Sequence, residues 1–226
     1  MVRSERWAVE PAPVRGHLDA LRISSELTSY FRRKHQPGAA MITPEAVIAA
    51  LHGAGVRCVL MGTHGVGGYR SEPRATQDVN VLVTKRDIRK AVRALREAYP
   101  GLTVKDSLVV TRFIDPATGK PVIDVMKPTQ PVYRIVFRHT IAVGQTHRIP
   151  NLEMALASKF AAMVSPNRDP AKKMIDAGDF IDVVRHNRDD INVPKLRRLA
   201  DKVYPDGGAE VLRMLEDIDA GRTIQL

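Results

Sequence analysis

Three short apolar segments, each with a polar residue at a defined place, most constrain what this chain can fold into. Runs of four to eight residues rich in valine and isoleucine and bounded by turn residues predict strands. Polar groups on such strands are placed to converge if the strands become neighbours in one sheet. The segments are Val56–Met61, which runs into Gly62-Thr63; Val79–Val83, which follows Asp78; and Val122–Met126, which has Asp124 at its centre.

Helical signals lie between and after these strands. Thr43 is placed to cap a helix that starts at Pro44 and stops near Gly55. Segment 84–99 has apolar residues at helical spacing on one face and basic residues on the other. We therefore predict an α/β (α+β) fold, a mixed-sheet domain followed by a helical C-terminal cap. Further helices are predicted at 151–164, 169–187, 194–204 and 207–219, and further strands near 102–105, 108–114, 121–126 and 140–149.

The predicted domains differ in charge. Residues 1–40, punctuated by Pro and Gly, form an N-terminal arm that is loosely ordered or partly helical. Residues 41–150 form the sheet domain and residues 151–226 the helical region. Of the net charge of +10, the sheet domain carries +8, the arm +3 and the helical region −1. A basic sheet domain suits polyanionic partners such as nucleotides or RNA, although solubility alone would also explain the charge.

Cysteine content and hydropathy indicate the compartment. The one cysteine, Cys58, lies in an apolar run and can form no internal disulfide, which fits a reducing environment and a buried thiol. No run of 18 apolar residues occurs, so no membrane association is expected. We predict a cytoplasmic protein.

The polar groups on the predicted strands suit a cation and a triphosphate. Because side chains alternate along a strand, Asp78 and Asn80 share one face. If Asp124 lies on a neighbouring strand, its carboxylate and that of Asp78 can hold Mg²⁺ or Mn²⁺. The turn at Gly62-Thr63 offers backbone N–H groups to phosphates. Alternatively, Asp78 caps a turn and Asp124 pairs with a core Arg or Lys.

Together these residues resemble a known family. The series Gly62-Thr63, then Arg74-x-Thr76-x-Asp78-x-Asn80, then Asp124, resembles the nucleotidyltransferase superfamily with a polymerase-β-like fold. Within it, the chain looks most like the AbiEii/MenT-type branch, the toxin halves of type IV toxin–antitoxin pairs. The resemblance covers roughly residues 43–187. It departs from the family at Asn80, where a second carboxylate is expected, so the metal motif is degenerate.

The resemblance implies a role for each matching position. Asp78 and Asp124 would be catalytic, and both would bind metal together with Asn80. The implied cofactor is Mg²⁺ (or Mn²⁺), with NTP as the substrate. Lys159 could instead be a surface lysine, and Asp176 and Asp179 could lie on a solvated helix face paired with Lys172 and Lys173. Nucleotide-binding residues would be Gly62, Thr63 and Lys159, and supporting residues would be Arg74, Thr76 and Asp176.

The implied function is nucleotide transfer to an RNA (tRNA) or protein hydroxyl. An RNA and a cognate antitoxin are then the expected macromolecular partners. The alternative is a catalytically inactive protein of the same fold that binds nucleotides or partners. Asn80 leaves the choice open, because an amide oxygen coordinates a cation without neutralising its charge. The basic face of segment 84–99 could contact RNA or could be an ordinary solvated surface.

Overall fold

The structure, a computed structural model, describes residues 12–224. Within this range the chain forms one seven-stranded mixed sheet, in the strand order β3-β4-β5-β2-β1-β7-β6. The predicted α/β fold with a helical C-terminal region is confirmed. The strands are β1 (Cys58–Met61), β2 (Val79–Val83), β3 (Thr103–Asp106), β4 (Val110–Asp115), β5 (Lys120–Met126), β6 (Thr140–Val143) and β7 (His147–Pro150).

Helices precede, connect and follow the strands. The helix that starts at Pro44 is capped as expected, since the Thr43 hydroxyl accepts a hydrogen bond from the Ala46 N–H. Short 3₁₀ turns at Gly67–Tyr69, Lys85–Asp87, Val136–Arg138 and Arg188–Asp190 complete the connections. The α-helices are α1 (Ala12–His35), α2 (Pro44–Gly53), α3 (Gly62–Val66), α4 (Ile88–Ala98), α5 (Pro131–Ile135), α6 (Leu152–Met163), α7 (Pro170–His186), α8 (Val193–Ala200) and α9 (Gly207–Asp219).

The directions of the central strands determine which residues meet. Strand β2 runs antiparallel to β1 and parallel to β5, while β1 runs parallel to β7. The end of β1, the start of β2 and the end of β7 therefore lie at one end of the sheet. The start of β1 and the ends of β2 and β5 lie at the other. These are called here the Asp78 end and the Thr84 end.

Both faces of the sheet are covered by helices. On one face, Val79, Val81 and Val83 of β2 pack with buried residues of α1, α2 and α4. On the other face, Leu82 packs with α6, α7, α8 and α9. The alternation of β2 therefore directs Asn80, like Leu82, towards the helical C-terminal region.

Helix α1 lies unusually close to the chain that follows β1. A Cβ added to Gly68 would lie 2.5 Å from the His17 nitrogen, so only glycine allows this approach without a shift. The His17 and His147 Nε2 atoms lie 3.0 Å apart and join α1 to β7. Residues 1–11 lie outside the described range, and the domain boundaries drawn from the sequence stay predictions.

Two local predictions were wrong and one segment was missed. Segment 140–149 is a hairpin of two strands, β6 and β7, instead of one strand. The glycines Gly65, Gly67 and Gly68 after β1 predict a turn, but they lie in α3 and the following 3₁₀ turn. Segment 131–138, for which no element was predicted, contains α5 and a 3₁₀ turn.

Two further expectations concern the burial of Cys58 and the apolar length of the helices. Cys58 is fully buried, and burial raises the pKa of its thiol to about 12, which makes it unreactive at neutral pH. Among residues 12–224, no helix combines the length and the apolar character that spanning a bilayer requires.

Candidate functional site

The strand register brings the predicted site residues to one corner of the sheet. Met61, the last residue of β1, pairs with Asn80 of β2, and Asn80 pairs with Asp124 of β5. Asp78 directly precedes β2, and Gly62 directly follows β1. Paired residues point to the same face, so Asn80 and Asp124 lie side by side facing the helical region. We call Gly62, Asp78, Asn80 and Asp124 the corner site.

Gly62 is held against Asn80 in a conformation that favours glycine. Its φ of +62° lies in the left-handed region. A Cβ at this position would lie 3.0 Å from Asn80 Nδ2 and 3.4 Å from Asn80 Cβ. Gly62 begins α3, and Thr63 follows it as a buried residue. The backbone at the end of β1 therefore closely covers one side of the corner site.

Asp124 is the residue of the corner site whose negative charge is incompletely compensated. The residue is only 9% exposed, and its Oδ1 atom is buried without a hydrogen-bond partner. Burial and the nearby charge of Asp78 raise the pKa of Asp124 to about 6, against the opposing charges of Arg112 and Lys172. Oδ2 lies 3.5 Å from Arg112 Nε, a residue whose side chain is half exposed. A carboxylate in this state lacks a full counter-charge.

Asp78 is positioned by the loop that leads into β2. The Thr76 hydroxyl donates a hydrogen bond of 3.1 Å to Asp78 Oδ1. The Thr76 N–H in turn donates to the hydroxyl of Thr28 on α1. The negative charge of Asp78 is also felt by buried His64, although burial dominates there and lowers the pKa of His64 to about 4. Thr76 therefore braces the loop, and α1 braces Thr76.

The donor set of the corner suits one divalent cation. It offers two carboxylates, from Asp78 and Asp124, and the amide of Asn80, which are oxygen ligands of the kind Mg²⁺ and Mn²⁺ accept. The unpartnered Oδ1 of Asp124 is the observation that fits such an ion. No cluster of three or more His, Cys, Asp or Glu residues with metal-binding geometry exists between residues 12 and 224. Two negative charges balance one divalent ion and leave a second one uncompensated.

Lys159 and Asp176 lie beside the corner in a buried ion-pair network. Lys159 Nζ lies 2.9 Å from Asp176 Oδ1 and 2.6 Å from Asp179 Oδ2. All three side chains are at least 94% buried. Lys159 is therefore not a surface lysine, and Asp176 does not lie on a solvated face paired with Lys172 and Lys173; both alternatives were wrong. Lys159 as a phosphate ligand stays a prediction, and here its ammonium is held by two carboxylates.

The network fastens the loop before Asp78 to helix α7. Arg74 binds Asp179 with two parallel hydrogen bonds, Nε to Oδ1 at 3.0 Å and Nη2 to Oδ2 at 2.8 Å. Arg70 Nη1 lies 3.0 Å from the same Oδ1. Burial alone would raise the pKa of Asp179, but hydrogen bonds from Arg74 and the charge of Lys159 lower it to about 2. Arg74 and Asp176 thus lie in one supporting cluster.

Sequence reasoning missed two contributors to this support. Asp179 was not selected, although it lies three residues after Asp176 and so shares its helix face. Helix α1 was also missed as a support of the loop. The Ser24 hydroxyl donates to the Arg74 carbonyl at 2.7 Å, and Arg32 Nη2 donates to the Gln77 carbonyl at 2.6 Å. No local sequence pattern in residues 12–35 predicts these contacts with the loop before Asp78.

Comparisons with known proteins show only distant likeness. Neither a protein-family model nor a curated protein matches the chain. An antigenic nucleotidyltransferase-like protein from Paracoccidioides brasiliensis matches with 17% identity and a TM-score of 0.41, over 62% of this chain and 74% of that one. The solution structure of the antibiotic-resistance factor ANT(2'')-Ia matches with 13% identity and a TM-score of 0.47, over 79% and 95%. The Megavirus polyadenylate synthase matches with 15% identity and a TM-score of 0.43, over 96% and 55%.

All three TM-scores lie below 0.5 and all three identities below 20%. These likenesses therefore assign no activity to the chain.

Proposed function

We propose that the corner site binds a nucleoside triphosphate together with one divalent cation, Mg²⁺ or Mn²⁺, and that the chain is a nucleotidyltransferase-like protein. The buried, unpartnered Oδ1 of Asp124 beside Asp78 carries this proposal. Two carboxylates forced together at the edge of a buried site raise each other's energy unless a cation joins them. The family resemblance of the motif supports the same assignment.

Each residue has a distinct role in this proposal. Asp78 and Asp124 would hold the cation through carboxylate oxygens, and Asn80 would add a neutral oxygen. Gly62 and Thr63 would receive the triphosphate through backbone N–H groups and the Thr63 hydroxyl. A bound cation supplies charge neutralisation for the phosphates and for the departing pyrophosphate. Arg74 and Asp179 would keep the Asp78 loop in place.

Transfer would move the nucleotide to a hydroxyl acceptor. The acceptor oxygen would form a bond to the α-phosphorus, and the bond from that phosphorus to pyrophosphate would break. The hydroxyl proton needs a base, and Asp124 is the carboxylate of the corner site to which we assign this role. We propose an RNA, such as a tRNA 3′ end, or a protein side chain as the acceptor.

The finer assignment follows the resemblance to the AbiEii/MenT-type branch. On that reading the protein is a toxin whose activity a cognate antitoxin suppresses in the cytoplasm. Expressing the chain alone and together with the product of an adjacent reading frame tests this assignment. Growth arrest by the chain alone that the second product relieves is the expected result. Unimpaired growth at high expression contradicts the toxin role.

A second candidate is a nucleotide-binding protein without transfer activity. Asn80 favours this second candidate, because its amide beside Asp124 is neutral. A second cation would need a negative charge at that position. In this form the corner site would bind NTP with one ion and act through partners. The corner geometry is common to both candidates, so binding and transfer need separate measurements.

Binding is tested by thermal unfolding of the full chain with Mg²⁺ and each NTP. Saturation at 100 times Kd stabilises a protein by about 2.7 kcal/mol, which for a chain of this size raises Tm by roughly 5–10 °C. Asp124→Asn should abolish the shift, whereas the exposed control Asp189→Asn should keep it. No shift with any NTP in the native chain refutes the proposed binding.

Transfer is tested with labelled NTP, Mg²⁺ and total tRNA or protein. Labelled acceptor that disappears in Asp78→Asn supports the enzyme. The variant Asn80→Asp separates the two candidates, because it restores the missing carboxylate. Activity that arises only in Asn80→Asp, while the native chain shows a nucleotide-dependent Tm shift, supports the non-catalytic module.

A further inference from the structure

A broad groove lies at the Thr84 end of the sheet, away from the corner site. It is formed where β1 starts and where β2 and β5 end, with α5 and β7 along one side. Its volume is about 1090 Å³, at the upper limit of what small-molecule sites occupy. Strand β2 separates Asp78 from Thr84 by six residue steps, or roughly 20 Å. The groove and the corner site are therefore separate places on the molecule.

The groove is lined by cations and by no acidic side chain. Five of its ten lining residues are basic. Four of them form no ion pair with any residue in the described range. One of these four, Arg148, donates its Nε hydrogen bond to the uncharged Thr140 hydroxyl. Lys127 is neutralised by Asp106 at 2.8 Å. The other three unpaired cations are Arg57, Lys85 and Arg134.

The basic surface continues beyond the groove. Lys90 of α4 lies next to Gly55, since its Nζ would be 3.3 Å from a Cβ at that glycine. Gly55 precedes Arg57 by two residues. The exposed face of α4 adds three arginines, Arg89, Arg93 and Arg96, which form no ion pair in the described range. Arg86 in the preceding 3₁₀ turn lies 3.9 Å from the carboxylate of Asp87. A chain of phosphates lying in the groove would thus meet further positive charge along α4.

Apolar residues share the lining of the groove with the cations. Ile88, Pro128 and Phe137 are half-buried residues of this lining. An aromatic ring and aliphatic groups beside cations are what unpaired bases and sugars pack against, while the cations meet the backbone phosphates. A rigid duplex hides its bases and presents only phosphates to such a lining.

We propose that this groove binds a single strand of nucleic acid, with its phosphates on Arg57, Lys85 and Arg134 and a base on Phe137. The groove is concave and its apolar residues are half-buried. A membrane surface would need apolar residues that protrude. A small nucleotide would leave most of the groove unfilled. The inference does not depend on the proposed function, because no residue of the corner site lines the groove.

Fluorescence anisotropy of the full chain with a labelled 12-nucleotide oligo(U) RNA and a dT DNA tests this inference. The slope of log K against log[salt] for single strands is about −0.7 per phosphate contact. The double variant Arg57→Gln/Arg134→Gln should therefore make the slope less negative by about 1.4. At 0.1 M salt it should weaken binding by roughly 25-fold.

The matched control is Arg185→Gln/Arg198→Gln, which removes the same charge from two exposed positions on α7 and α8. It should change affinity less than 3-fold, and Asp124→Asn should leave oligonucleotide binding intact. Equal loss in both double variants would show attraction to net charge only and overturn the site. Tighter binding of a matching duplex, or binding of anionic lipid vesicles in place of the oligonucleotides, would also overturn it.

Discussion

Replacing Asp124 with asparagine should stabilise the protein when no divalent cation is present. Burial and the charge of Asp78 raise the pKa of Asp124 to about 6 from an ordinary value of 3.8. That difference corresponds to about 3 kcal/mol by which ionisation of this carboxyl weakens the fold at neutral pH. Asparagine keeps the shape of the side chain and carries no charge. We therefore expect Asp124→Asn to raise the free energy of unfolding by about 1–3 kcal/mol.

The stability gained by Asp124→Asn should depend on pH in a definite direction. A carboxyl whose pKa is raised in the folded state holds its proton more tightly there than in the unfolded chain. Its contribution to stability is therefore greatest below about pH 4 and is lost as the pH rises towards 6. The advantage of Asp124→Asn should be largest at pH 7.5 and should shrink to about 1 kcal/mol or less at pH 4.5.

Urea unfolding in EDTA at the two pH values measures this difference, with Asp189→Asn as the exposed control. A less stable Asp124→Asn at pH 7.5 would refute the reasoning. It would show instead that Asp124 is a structural partner of Arg112, the alternative that the sequence left open. The Arg112 side chain is 50% exposed, so that pair is expected to contribute at most about 1 kcal/mol.

Three further changes probe the surroundings of the corner site. Asp179→Asn should destabilise the chain by about 3–5 kcal/mol in urea unfolding, because it leaves Lys159 and Arg74 partly unpaired in a buried network; a loss below 1 kcal/mol would contradict this. Gly62→Ala should lower the free energy of unfolding by about 1–3 kcal/mol, because alanine disfavours the positive φ of this position, and it should weaken the NTP-dependent Tm shift. An unchanged Tm shift would exclude close approach of the nucleotide to Gly62. Gly68→Ala should lower Tm through its clash with α1, and the open position Gly101→Ala should not.

The sequence predicted those features that depend on local pattern. The alternation of valines identified β2 with the bounds that the structure shows, and Thr43 with Pro44 located the start of α2. The same alternation placed Asp78 and Asn80 on one face, and strand pairing then brought Asp124 beside them. The strand, the cap and the alternation are short-range consequences of residue type, whereas the pairing of Asn80 with Asp124 depends on a contact between residues 44 positions apart.

Features that depend on distant contacts were not predictable. In the sequence, Asp176 and Asp179 resemble the charged outer face of a helix. They are buried in the fold, where Lys159, Arg74 and Arg168 pack against them. The Gly68 segment looks like a turn and becomes helical because α1 packs directly on it. Periodicity cannot report contacts between residues fifty or more positions apart, so such positions are open to misinterpretation.

The contact between His17 and His147 has a consequence for the order in which the molecule is assembled. The two residues are 130 positions apart, so α1 cannot complete its docking until β7 has left the ribosome. Through Ser24, Thr28 and Arg32 the same helix holds the loop that ends in Asp78. Asp179 secures that loop later still. A nascent chain that has made every strand up to β5 therefore contains both carboxylates of the corner and the α1 contacts to the loop, but it lacks Asp179, and the Asp78 loop is fully fastened only after synthesis through α7.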